Sequence, residues 1–164
     1  MKAHFEMMAA YNAWANARLY DAAHALPDGD YRRDLGAAFR SLHGTLNHVV
    51  VADVIWLSRF RDRPNPPWRL DHIAHDHPRE LRARRDALDR DILGFVGALS
   101  EAQLDGEFEY LTVTRPEKVR QKLAPALAHL FNHQAHHRGQ CHAMLTCLTG
   151  QAPALDLIYF QRET

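Results

Sequence analysis

Cysteine is nearly absent: Cys141 and Cys147 are the only two in 164 residues. Six positions apart on one helical stretch, they point to different sides and cannot bridge. A disulfide scaffold is excluded, and two unpaired thiols fit a reducing compartment, so the cytoplasm is the expected setting. No run approaches the ~18 uncharged apolar residues of a membrane-spanning helix. The opening residues, Met1-Lys-Ala-His-Phe-Glu-Met-Met8, lack the apolar segment of a signal peptide. Excess charge is missing too: 20 Lys and Arg balance 20 Asp and Glu, which leaves no electrostatic case for nucleic acid or an anionic membrane. The one local excess, five arginines over 79–90, reads as a solvated helix face. There is no P-loop and no Gly-x-Gly-x-x-Gly. The metalloprotease pattern His-Glu-x-x-His is absent, as is the Glu-x-x-His of dinuclear carboxylate bundles.

What the chain does have is histidine, 12 in all. Five fall within fourteen residues, His129-Leu-Phe-Asn-His133-Gln-Ala-His136-His137-Arg-Gly-Gln140-Cys141-His142. The spacing over 123–149 predicts a helix. Leu123, Leu127, Leu130, Gln134, His137, Cys141, Met144, Leu145 and Leu148 share one arc of its wheel. His137 lies near the centre of that arc and His133 at its edge, while His129 and His136 lie further out, on the shoulder. A histidine on an amphipathic helix is ordinarily a packed side chain. An i, i+4 pair on the apolar side needs partners for two imidazoles, and a metal ion supplies both. The pair alone leaves both readings open. Cys141, one turn past His137, is a fourth ligand, a reactive thiol or, more simply, a small apolar residue.

The length suits one domain, 1–164, with a proper core. A first helix is predicted over 3–25, with Phe5, Met8, Asn12, Ala15, Leu19 and Ala22 as the seam of a bundle helix. Asn12 there is a hydrogen-bonded amide or part of a polar pocket. A second helix over 35–61 is apolar nearly all round and therefore buried. His48 sits in its middle, on a side with small residues (Ser41, Gly44, Thr45, Ala52) that leave room for a cavity. Asp53 and His43 face away from it, and Asp53 reads as a structural hydrogen-bonding group. Residues 62–78 form a proline-rich connection. Its cluster Asp71-His-Ile-Ala-His-Asp-His77 offers metal-ligating types but reads as plain loop. A third helix starts at Asp76 or His77, with Pro78 in its first turn, and runs to about Leu99. Gly94 and Gly97 weaken it or allow close packing. Strand-forming residues over 107–113, with Arg115-Pro-Glu117 to turn the chain, predict a short hairpin. After the histidine-bearing helix and Gly150, the tail over 155–160 is apolar enough to pack on the bundle.

Three stretches together resemble the DinB/YfiT-like family: Tyr11-Asn-Ala-Trp-Ala-Asn-Ala-Arg18, Thr45-Leu-Asn-His48-Val-Val-Val-Ala-Asp53-Val-Ile-Trp56-Leu, and Asn132-His133-Gln-Ala-His136-His137-Arg-Gly-Gln140. Asp156 to Tyr159 is similar to the family's tail. The resemblance covers nearly the whole chain. It implies an all-α fold, a four-helix bundle of up-down-down-up connectivity, and a homodimer. It also implies one divalent metal ion held by three histidines matching His48, His133 and His137; neutral imidazoles suit zinc, nickel, iron or copper, with zinc or nickel expected first. Relatives have been linked to transfer or isomerisation with low-molecular-weight thiols, and others to DNA-damage induction without a known reaction. The expectation for this chain is a metal-dependent thiol S-transferase or hydrolase acting on a small electrophile. The alternatives are a non-catalytic metal-binding stress-response bundle and a dimeric interaction module. Three protein ligands leave a coordination position for water or substrate. No carboxylate falls near the ligands on either wheel. Tyr11, Asn12, Gln134 and Arg138 are the candidates for outer-shell or substrate groups.

Overall fold

Each amphipathic stretch becomes a helix, and its buried face shows what it packs against. The structure is a computed structural model that describes residues 1–163. In chain order it contains α1 Lys2–His24, α2 Asp28–Tyr31, α3 Leu42–Phe60, α4 Pro78–Ala98 and α5 Glu101–Asp105. The strands β1 Glu107–Leu111 and β2 Lys118–Lys122 follow, then α6 Leu123–Thr149 and α7 Leu157–Glu163. The four long helices form a ring in which α1 packs on α4 and α6, and α3 packs on the same two.

The side-chain bonds give their directions. Asn47 near the start of α3 reaches the His75 carbonyl just before α4, and Arg61 past its end pairs with Asp91, so α3 and α4 run parallel. On α1, Lys2 reaches Gly97 and Asn12 reaches Asp89, so α1 and α4 are antiparallel. Trp56 meets His129 while His48 meets His133, so α3 and α6 are antiparallel. The result is the up-down-down-up bundle. The parallel α3–α4 pair is what requires the long connection over residues 61–77. Leu42, Leu81 and Leu127 in its core are fully buried, each contributing about 2 kcal/mol over an exposed leucine.

Local chemistry sets the element ends. The Ser41 hydroxyl accepts from the Gly44 amide at 3.1 Å and caps α3. The predicted start near residue 35 is therefore seven residues early. Gly36 and Arg40 take positive φ, and Leu35 N–H donates to the Arg40 carbonyl at 2.7 Å, which makes 35–40 a turn. His77 caps α4 through its side chain, with Pro78 first in the helix as predicted. Gly94 and Gly97 face open space, so close packing is not their role. Gly150 ends α6 in the left-handed conformation, φ 79°. The hairpin forms in antiparallel register, Glu107 opposite Lys122 and Leu111 opposite Lys118. The tail packs as expected, with Phe160 against Tyr11 and Trp14.

The arginine-rich face over 79–90 is a correction. Arg85 is wholly buried, pairing with Asp53 on α3 and with Asp89 at 3.0 Å. Asp89 in turn accepts from Asn12 at 3.1 Å and Asn16 at 3.0 Å on α1, and Gln134 on α6 donates to Asp53. This buried polar network joins all four long helices.

Candidate metal centre

His48 lies in the second turn of α3, and His133 and His137 lie one turn apart on α6. Antiparallel packing of those helices points the three rings at one another. The Nε2 atoms of His48 and His133 are 3.2 Å apart, and those of His137 and His133 are 3.1 Å apart. Among the described residues this trio is the group of His, Cys, Asp or Glu placed to hold an ion, with ligand atoms all within 4.8 Å of one another. Two nitrogens ~2.0–2.1 Å from a tetrahedral ion stand ~3.3–3.4 Å apart, and the two spacings to His133 are close to that.

The outer nitrogens fix the tautomers. His48 Nδ1 lies 2.8 Å from the Leu70 carbonyl oxygen, which only accepts, so Nδ1 carries the proton. His137 Nδ1 donates to Gln140 Oε1 at 2.8 Å, and the Gln140 amide nitrogen lies 3.2 Å from His136 Nε2. Both Nε2 atoms therefore present lone pairs to the centre. His133 Nε2 faces both of them, and one N–H cannot serve two acceptors well. Its own Nδ1 is buried without a hydrogen-bond partner. A cation at the common point satisfies all three rings, and the Nδ1 contacts to a carbonyl and an amide are the usual outer support of imidazole ligands.

Burial keeps the rings neutral, the form that ligates. It lowers the His48 pKa to about 4, with His137 adding to the effect against the Leu70 hydrogen bond. It lowers His133 to about 3, aided by the neighbouring imidazoles. His137 is lowered too, again chiefly by burial. The space that small residues were expected to leave beside His48 is filled. Phe39, from the turn before α3, stacks on the imidazole at 3.7 Å and sets its edge against His137 at 5.7 Å. Gly44 permits this, because a Cβ there would overlap the Phe39 carbonyl oxygen.

The other candidates fall elsewhere. His129 and His136 are exposed on the shoulder, as the wheel places them. His43 faces Tyr31 and the His75 carbonyl. Asp53 is structural. Asn12, Gln134 and Arg138 belong to the polar network: Gln134 bonds to Asp53, and Arg138 donates to Asn12. Tyr11 donates to the Leu155 carbonyl at 2.7 Å. None of their hydrogen bonds reaches the triad. Cys141 is fully buried and its thiol is pushed up to about 12 by burial, so it packs as an apolar residue outside the trio. The 71–77 cluster does not converge on a common point among the described residues. Sequence reasoning missed Phe39 and Leu70, which act through a stacked ring and a backbone carbonyl. Neither carries a residue-type signal.

A four-helix bundle with three inward imidazoles from its second and fourth long helices defines a class of histidine-site bundle proteins. The profile of the DinB family matches residues 1–164, and the chain belongs to that family. It is also similar to Protein DinB of Bacillus subtilis (strain 168), 25% identical over 145 residues, which cover 82% of this chain and 80% of that protein.

Proposed function

We propose that His48, His133 and His137 hold one divalent ion, and that the chain is a metal-dependent enzyme transferring a low-molecular-weight thiol to a small electrophile, or hydrolysing one. The observation that carries this reading is the convergence of the Nε2 atoms, two of them with tautomers fixed by Leu70 and Gln140. The donor set is neutral imidazole, which suits zinc, nickel or iron. The trio has no fourth protein ligand among the described residues, the pattern of a site that accepts an exogenous ligand. A divalent ion there supplies a Lewis acid that lowers the pKa of a coordinated thiol or water. Leu70 and Gln140 hold two imidazoles in the ligating tautomer. Phe39 shields the His48 face from water and fixes that ring's plane. The homodimer that the family resemblance implies is part of the same reading.

Elemental analysis of purified protein tests the first half: one ion per chain is expected, and His48→Ala loses it. Unchanged metal content in that variant would refute the ligand set. A panel of low-molecular-weight thiols with an electrophilic acceptor tests the second. Metal-dependent turnover is expected. A loaded but silent protein would instead assign the ion to joining α3 and α6.

A further inference from the structure

A cavity of about 980 Å³ opens between residues 59–69 and the β1–β2 hairpin. Its walls are largely apolar, with Trp68, Tyr110, Leu111, Val113 and Pro116 among them. Arg59 also lines it, and is only 9% exposed. The guanidinium lies 4.7 Å from the Trp56 ring centre and 4.5 Å from that of Tyr110. Its Nε donates to Asn65 Oδ1 at 3.2 Å and its Nη2 to the Leu111 carbonyl at 3.1 Å. Those two bonds use two of five N–H groups and lock the plane of the fork.

No carboxylate among the described residues lies within ion-pair distance of Arg59. Of the other cations of the wall, Arg69 pairs with Asp71 at 3.0 Å and Lys118 pairs with Glu109, while Arg63 is exposed and solvated. A desolvated guanidinium without a counter-charge is costly, and bulk water cannot relieve it fully at this burial. A planar anion meeting the remaining N–H groups of Nη1 and Nη2 would relieve it, in the bidentate geometry that guanidinium favours. One buried, uncompensated cation matches one negative charge.

We propose that this cavity binds a small organic carboxylate with an aromatic or branched apolar body, its carboxylate on Arg59 and its body against Trp68 and Tyr110. The segment that supplies Trp68 continues to Leu70, whose carbonyl holds His48. The proposal does not depend on a metal, since none of the three histidines lines the cavity.

The test is binding of 1-naphthaleneacetate, with the neutral 1-naphthaleneacetamide as comparator, followed by 15N NMR of the tryptophan indoles. Trp14 serves as internal control, because it donates to Glu163 on the α1–α7 side of the bundle. The acid should shift Trp56 and Trp68 but not Trp14, and bind at least about tenfold more tightly than the amide. Arg59→Met, which keeps an apolar stem, should abolish that preference while amide binding persists. His48→Ala should retain the preference, which separates this result from the fate of the metal site. Equal affinity of the two probes in the wild-type protein, binding of neither, or a matching shift of Trp14 would overturn the proposal. So would a preference that survives in Arg59→Met. The wild-type comparison decides even where that variant does not fold.

Discussion

Replacing Arg85 by methionine tests whether the buried polar network holds the bundle together. The substitution keeps most of the side-chain length but removes the cation. Asp53, wholly buried, and Asp89, 6% exposed, then remain inside without it. Breaking a buried pair by removing one partner costs about 3–5 kcal/mol. Asp89 keeps the Asn12 and Asn16 amides and Asp53 only that of Gln134, so Asp53 carries most of that loss. In the intact protein burial pushes the Asp53 carboxyl up to about 6, against the pull of Arg85. Arg85 itself stays charged, because Asp89 and Asp53 more than offset its burial. Without Arg85 the Asp53 carboxyl is pushed up further, so the variant keeps it protonated to a higher pH than the parent does. A carboxyl with a raised folded-state pKa loses stability as pH rises. Above pH 6 the parent no longer suffers this loss while the variant does, at about 1.4 kcal/mol per unit of the further shift. Below pH 6 both carboxyls are protonated and this part of the gap closes. Urea denaturation of the metal-free proteins at pH 7 and pH 5 measures it, since the histidine contributions are common to both and cancel. The destabilisation should be about 3–5 kcal/mol at pH 7 and smaller by about 1–2 kcal/mol at pH 5. Adding Asp53→Asn should restore part of it at pH 7. A cost under ~1 kcal/mol, or a gap that widens on acidification, would refute the account of Asp53 as an ion held charged by Arg85.

Three further outcomes follow from the site. Gly44→Ala forces the Phe39 carbonyl aside and so disturbs the ring stacked on His48; metal affinity in a competition titration with a chromogenic chelator should fall, with the helical circular dichroism unchanged. Gln140→Leu removes the acceptor for His137 Nδ1, and should weaken metal binding about 10- to 100-fold, as loss of an outer-shell partner does; an unchanged affinity would mean that this contact does not orient the ring. Cys147 is exposed, whereas Cys141 is buried with its thiol pushed up to about 12, so a disulfide-exchange reagent should titrate one thiol in the native protein and two after denaturation.

The parts of this molecule that were legible in sequence are those that follow from periodicity. The four long helices and the inward placement of His133 and His137 come from the spacing of apolar residues, which is the same information that packs them, and the hairpin comes from strand-forming residues ahead of a turn. Position 48 could be placed on a buried helix, but neither spacing nor composition says which ring it meets across the bundle. That pairing depends on helix direction and register, which only the tertiary contacts fix. Arg85 was misread because an arginine among arginines looks like a solvated face. Its burial follows from Asp53, 32 residues earlier, and from two asparagines on α1. The start of α3 was misread because 35–40 carries apolar residues while taking a turn enforced by Gly36 and Arg40.

The network and the site are mechanically one construction. Asp53 follows His48 by five residues and Gln134 is next to His133, so the buried Asp53–Gln134 bond clamps α3 to α6 within about a turn and a half of the imidazoles. The two rings on α6 keep their mutual distance through the helix itself. The His48–His133 distance of 3.2 Å has no such local guarantee and depends on how the two helices sit. A site assembled across an interface loses its geometry when that interface relaxes by even ~0.5 Å, the tolerance within which such constellations work. The Asp53–Gln134 bond is satisfied in this register of α3 on α6, and a slip of either helix would leave buried polar groups without partners. The polar layer therefore acts on the candidate metal centre by fixing the one coordinate that the local sequence leaves free.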